Sequence, residues 1–330
     1  MKVLLAAYSS ASSGIGSYTL EIAYLLSGYA DLTVLSLDSK LNDFNSYTIK
    51  QEITFRGAPL LSFLDVRDEI RHIEENYDVV HETLPPYGTE SKRLITTKWS
   101  YESFIRIVLY RMLWHPFPEN LGAFPVTVQH YMMDCISKRK SLNTVYVNKK
   151  GDDFIPPPIR LRSLKKYSDL KPLKILFVSR DLSIMRKNLK VVLDALTMVH
   201  RDVELHTVGN GNSSGVDHGY MGREELINLM HDMDILILPS IYEELGYVGL
   251  EAYSVGLPVI TSDIQSFQTV FTESPRFEPF NPFQLATVID NLSPDSVEEM
   301  GRNSWNHVKE SNEIARKRLL SLYESVHNKE

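Results

Sequence analysis

Glu243 and Glu251 lie in the stretch SIYEELGYVGLEAYSVGLPVITSD with seven residues between them. The run DILILPS before them reads as a strand, IYEELG as a loop, and a helix is expected to begin near Gly246 or Tyr247. Glu243 is then a loop residue and Glu251 an early helical one. A helix start carries unpaired amides and partial positive charge, which suits a phosphate or pyrophosphate. Gly246 lets the backbone come close to such a group. A carboxylate one turn into the helix can accept hydrogen bonds from two vicinal hydroxyls of a ribose, while the loop carboxylate lies nearer whatever is attached beyond the phosphates. A glutamate early in a helix also complements the helix dipole without binding anything.

A second segment points to the same chemistry. VSRDLSIMRKNLKVVL puts Arg180 at the end of a strand and Lys187 just before the next helix. Two fixed cations at one sheet edge stabilise a departing diphosphate electrostatically, and they can do so without a metal. The competing reading is two solvated surface cations.

The elements that must hold these residues repeat. KVLLAAYSS, the glycine-containing ASSGIGS, a helix with Tyr18, Ile22, Leu25 and Leu26 on one side, and a further apolar run form a βαβ unit. Buried strands are expected at 78–82 (DVVHE) and 93–97 (RLITT), neither alternating, as in a parallel sheet. After DDFIPPPI the pattern restarts with LKILFVSR, NLKVVLDALTMVH, VELHTVGNG, REELINLMHDM, DILILPS and LPVITSD. Three prolines at 156–158 would break a helix or central strand, which places a joint within 150–172 and domains at 1–155 and 156–330. The expected fold is α/β, two Rossmann-like doubly wound domains facing a central cleft. Ligands of such sheets bind beyond the carboxyl ends of the strands.

A chain of 330 residues, 43% apolar and 23% charged, fits a folded protein of two domains. The N-terminal apolar run is too short for a signal-peptide core, and no stretch of about 18 uninterrupted apolar residues would cross a bilayer, so a cytoplasmic protein is expected. One cysteine, Cys135, can form neither an internal disulfide nor a thiolate cluster. Net charge is −7, yet residues 1–174 carry 22 Lys and Arg against 19 Asp and Glu, and residues 101–174 carry 13 against 6. That basic stretch is a solvated face, a linker, or a contact for an anionic acceptor or membrane surface. It lacks the interleaved aromatics of a nucleic-acid module, so no nucleic-acid partner is expected. The segment 100–117, with Arg106 and Arg111, reads as an amphipathic helix packed on the N-terminal sheet or lying at a membrane interface.

These motifs resemble the GT-B retaining glycosyltransferases, in particular the large family four, the group 1 glycosyl transferases. Its Glu-x7-Glu motif is matched by Glu243 and Glu251, its strand-end Arg and following Lys by Arg180 and Lys187, and its first glycine loop by Gly14 and Gly16. GYMGREELINLMHDMDILILPS resembles the stretch leading into the motif, and ARKRLLSLYESV resembles the closing helix that crosses back to the N-terminal domain. The resemblance implies Glu251 on the ribose hydroxyls, Arg180 and Lys187 on the diphosphate, and Glu243 near the donor sugar. It also implies backbone near Tyr220 and Met221 under the nucleobase, and amides of Leu245, Gly246 and Tyr247 at the phosphates or sugar. The implied reaction transfers a sugar, with retained anomeric configuration, from a UDP-, GDP- or ADP-sugar to a hydroxyl of a glycan or lipid-linked acceptor. No cofactor or metal is obligatory, and peripheral membrane contact through the basic N-terminal half is compatible with it.

One position departs from the family. Members often carry a histidine after the strand corresponding to RLITT, where this chain has Trp99. His81, at the end of an expected strand, is the substitute candidate for catalysis, or else a buried and satisfied core histidine. Asp232 and Asp234 imitate a metal-binding pair of the other glycosyltransferase fold, but their place before a buried strand reads as capping. Sugar-nucleotide epimerases, and phosphorylases, share this architecture, and a non-catalytic nucleotide-sugar-binding subunit is the remaining alternative.

Overall fold

The computed structural model describes residues 1–7, 14–36, 45–48, 73–84, 93–98, 143–147, 154–167 and 169–328. Trp99, Cys135 and the expected helix at 100–117 lie outside the described residues. The chain forms two compact units, Met1–Arg160 with Asn312–Glu330, and Leu161–Ser311.

In the first unit β1 (Lys2–Ala7), α1 (Gly14–Leu26), β2 (Asp31–Ser36), β3 (Asn45–Thr48), β4 (Val79–Leu84), β5 (Leu94–Lys98) and β6 (Asn143–Tyr146) follow in order. The sheet runs β3-β2-β1-β4-β5-β6, all parallel, with Val3 opposite Val79 and Leu4 opposite Thr33. Strand order reverses between β1 and β4, which makes this a doubly wound sheet. Leu4, Ala6, Leu35, Tyr77, Val80 and Leu94 form a buried cluster on it.

The second unit contains β7 (Leu173–Asp181), a 3-10 turn at Met185–Lys187, α2 (Leu189–Leu196), β8 (Val203–Asn210), β9 (Val216–Asp217) and α3 (Arg223–Asp232). It continues through β10 (Ile235–Leu238), α4 (Tyr247–Val255), β11 (Val259–Ser262), α5 (Gln265–Val270), β12 (Arg276–Phe277) and α6 (Pro282–Asp290). The last helix, α7 (Pro294–His327), begins here and ends in the first unit. The sheet order is β12-β11-β10-β7-β8-β9, again all parallel, and the order reverses between β7 and β10.

Both faces of this second sheet are covered, which explains why its strands lack alternation. Leu173, Ile175 and Phe177 of β7 with Ile235 and Ile237 of β10 point to one side and pack with Val192 and Ala195 of α2 and Leu285 and Ile289 of α6. On the other side Leu238 approaches Gly249 of α4 so closely that a Cβ there would lie 2.6 Å from its Cδ1. Each such buried side chain stabilises the fold by about 1.5–3 kcal/mol over its exposed state. Helix ends follow local chemistry. Pro282 stands in the first turn of α6, where Asn281 accepts from the Gln284 amide at 3.0 Å, and α4 stops at Gly256 with φ +77°.

The chain passes from one compact unit to the other at 160–161, inside the 150–172 segment expected to hold the joint. The proline segment is buried with the first unit. Asn312 brackets Ile159, accepting from its amide at 3.1 Å and donating to its carbonyl at 2.8 Å. The Arg160 amide donates to the buried Glu21 carboxylate at 2.6 Å, and its guanidinium lies 3.7 Å from the Tyr24 ring centroid. From residue 312 onward α7 buries Ala315, Leu319, Tyr323 and Val326, a stripe at helical spacing.

Candidate functional site

Because the order of the second sheet reverses between β7 and β10, the loops leaving these two strands start side by side at their carboxyl ends. The loop after β7 carries the 3-10 turn with Arg186 and Lys187, and the loop after β10 carries Glu243. Backbone and side chains both join them. The Ile241 amide donates to the Arg186 carbonyl at 2.9 Å, and Asn188 Nδ2 donates to the carbonyls of Pro239 at 3.2 Å and Pro279 at 2.6 Å. Asn188 can do this because it adopts a left-handed conformation, φ +58°, between the turn and α2.

Glu243 is the electrostatic centre of this junction. Lys187 Nζ and Arg186 Nη1 both pair with Glu243 Oε2, the arginine at 3.1 Å, and the Glu243 side chain is only 17% exposed. Burial alone would push its carboxyl up, but the Lys187 and Arg186 charges and their hydrogen bonds outweigh it and hold it below the usual carboxylate range. Its backbone is fixed too, since Ser266 Oγ donates to the Glu243 carbonyl at 2.5 Å.

Arg180 stands apart from this cluster. It lies near the end of β7, exposed, its guanidinium with no hydrogen-bond or ion-pair partner among the described residues. A cation left unpaired at the carboxyl edge of a parallel sheet is available to an anionic ligand.

Gly246 takes φ +69° and α4 starts at Tyr247, so the chain turns from loop to helix within one residue. Phe267 and Phe271 close over the turn, and a Cβ on Gly246 would lie 2.7 Å from Phe267 Cε1. Among the described residues the amides of Leu245 and Gly246 find no acceptor. They precede the positive end of a nine-residue helix, an arrangement suited to a phosphate.

Glu251 lies one turn into α4 with its side chain 9% exposed, and Arg223 Nε donates to its Oε1 at 2.7 Å. Arg223 is the first residue of α3, directly after Tyr220, Met221 and Gly222. Tyr220 is exposed and Met221 half-buried. Gly222 caps the helix, its amide donating to Glu225 at 2.9 Å. Neither Arg186 nor Arg223 was singled out from the sequence. The signal for Arg223 was there, because an arginine in the first helical turn opposes the dipole and needs a carboxylate partner.

Three candidate residues lie in the first unit. His81 is not at an open strand end but fully buried in β4, with hydrogen bonds of 2.7 Å from Nδ1 to the Tyr323 hydroxyl and from Nε2 to the Thr97 hydroxyl. Burial pushes its pKa down to about 3, so the ring is neutral and both nitrogens are occupied, which agrees with the second of the two readings of His81, a buried and satisfied histidine. Gly14 and Gly16 are not in a loop but in the first turn of α1, and the stretch 8–13 before them lies outside the described residues.

Asp234 Oδ2 accepts from the Lys174 amide at 2.8 Å at the start of β7, and Asp232 closes α3, which accounts for that pair as strand and helix ends. Among the described residues no three His, Cys, Asp or Glu side chains gather as metal ligands, and no helix is long and apolar enough to cross a membrane.

Two parallel, doubly wound sheets in this order define the GT-B fold. Solved structures covering nearly the whole chain share it: a glycosyltransferase of Rickettsia africae (17% identity, TM-score 0.63, 100% of this chain and 99% of that one) and Anabaena HepE in complex with UDP (15% identity, TM-score 0.66, 97% and 100%). Residues 172–295, the part that contains every site residue of the second unit, match the family model of Glycosyl transferases group 1. The O-antigen biosynthesis glycosyltransferase WclY of Escherichia coli is 25% identical over 156 residues, 43% of each chain. The chain aligns with less than half the length of the curated relatives it matches.

Proposed function

We propose that this chain is a cytoplasmic, retaining group 1 glycosyltransferase of family four, which moves a sugar from a nucleotide-sugar donor to a hydroxyl of a glycan or glycolipid. The observation that carries the reading is the meeting of the loops after β7 and β10, where Lys187 and Arg186 hold Glu243 beside the amides of Leu245 and Gly246, which have no acceptor among the described residues. The match of residues 172–295 to the family model supports it, as do the complexes of HepE with UDP and UDP-glucose.

In this reading the second unit takes the donor and the first unit the acceptor. Glu251 accepts from the ribose hydroxyls, Arg180 and Lys187 neutralise the diphosphate as it leaves, and Glu243 faces the sugar. The work asked of the protein is positioning and leaving-group stabilisation, for which the cations Arg180 and Lys187 suffice without a metal. The acceptor class follows the O-antigen role in the name of WclY, and the basic stretch 101–174 suits a membrane-borne or anionic acceptor.

Purified chain is incubated with UDP-, GDP- and ADP-sugars and a panel of glycan and lipid-linked acceptors, with and without EDTA, and the product's anomeric proton coupling is read by NMR. Transfer with the donor's configuration, insensitive to EDTA, is expected. Inverted product, epimerised donor without acceptor, or dependence on inorganic phosphate would overturn the assignment.

A further inference from the structure

We infer that Arg223 is a positioning residue that sets the ribose selectivity of the donor site by fixing the Glu251 carboxylate; the inference rests on the donor-site reading above. Three observations carry it. Arg223 Nε donates to Glu251 Oε1 at 2.7 Å, from a guanidinium 24% exposed to a carboxylate 9% exposed. The same guanidinium lies 6.0 Å from the Tyr247 ring centroid, at the first residue of α4. Finally, Arg223 begins α3 immediately after Tyr220 and Met221. One side chain thus spans the segment expected under the base, the carboxylate expected on the ribose and the helix start expected at the phosphates.

The placement is costly for a local reason. A cation in the first turn of α3 faces the positive end of that helix, although Glu224 and Glu225 share the turn. Glu251 compensates it from another helix, so the pair locks the starts of α3 and α4 together. A carboxylate oxygen can accept more than one donor, so the bond from Arg223 leaves Glu251 able to accept from sugar hydroxyls. What the bond removes is rotamer freedom. A glutamate held in one orientation can meet the 2′ and 3′ hydroxyls together, and the ordering cost is met before the nucleotide arrives. A loose glutamate loses that preorganised contact and with it the penalty against a sugar lacking the 2′ hydroxyl.

Calorimetric titration with UDP, GDP and ADP and with their 2′-deoxy counterparts tests this on wild type, Arg223→Gln and Arg223→Lys, with melting curves to confirm folding. For the base that binds, wild type should prefer the ribonucleotide by about tenfold. Arg223→Gln should weaken the ribonucleotide by about tenfold and leave the deoxynucleotide nearly unchanged, and Arg223→Lys should restore most of the preference. Equal weakening of both nucleotides, or no change in a folded variant, overturns the role of Arg223 while the donor-site reading stands. A folded wild type that binds none of the six overturns both.

Discussion

Arg186 Nη1 lies 3.1 Å from Glu243 Oε2, so a residue of the turn after β7 grips a residue of the loop after β10. Lys187 holds the same oxygen. The two cations proposed to meet the diphosphate therefore differ: Lys187 is engaged with Glu243, and Arg180 is exposed with no partner among the described residues.

That difference separates two substitutions. Arg180→Ala removes no internal contact and should leave the melting temperature within a degree or two, while lowering kcat roughly a hundredfold by loss of leaving-group stabilisation. Lys187→Ala should lower kcat at least as much and also reduce the melting temperature, because Glu243 loses a partner in a mostly buried position. Steady-state kinetics with melting curves on both variants gives the comparison.

Glu243 titrates below the usual carboxylate range because Lys187 and Arg186 overcome the effect of burial. A depressed folded pKa means that the ion pair's stabilisation is full above the unfolded carboxylate pKa and is lost as pH falls through the lower folded value. With the nearer cation replaced in Lys187→Met, burial dominates and the Glu243 carboxyl moves up. The loss of melting temperature caused by Lys187→Met should therefore be greatest near pH 7 and narrow as pH falls toward 4, because the variant's Glu243 carboxyl takes up its proton at a higher pH than the wild type's.

His81 gives a second pH signature, in stability rather than binding. Its folded pKa of about 3 is below the ordinary 6.5, so the neutral ring's contribution is whole above 6.5 and drains away as pH falls toward 3. Each unit of such a shift corresponds to about 1.4 kcal/mol. His81→Gln should be less stable than wild type at pH 7, through the disturbed bonds to Tyr323 and Thr97, yet lose less stability between pH 7 and 4.5. Melting temperatures across that range show whether the slope flattens.

Gly246→Ala would place a methyl group 2.7 Å from Phe267 at φ +69°. The strain and clash should cost about 1–3 kcal/mol and disturb the amides before α4, so nucleotide affinity should fall together with the melting temperature. Ala at Gly219, where φ is +65° but nothing stands within 4 Å, isolates the backbone cost from the clash.

The parts legible in the sequence are those whose signal is local. Strands β7, β8 and β10 and the helix holding Glu251 show as apolar runs and helical spacing, and Glu243, Glu251, Arg180 and Lys187 stand out by type and spacing. β9 and β12, two residues each, are too short to show a period. Partnerships were invisible for another reason: Arg223 meets Glu251 across 28 positions, and Arg186 meets Glu243 across 57. His81 shows the same limit, since the hydroxyl that covers it comes from Tyr323, 242 positions later.

The most direct measurement is calorimetric titration of the purified chain with UDP, GDP and ADP, repeated on Glu251→Ala. One of the three should bind in the micromolar range to wild type and be weakened at least tenfold by the substitution, because the carboxylate held by Arg223 is the proposed ribose acceptor. Equal affinity of wild type and Glu251→Ala, or no binding by a folded wild type, would contradict a nucleotide-sugar site on the second unit.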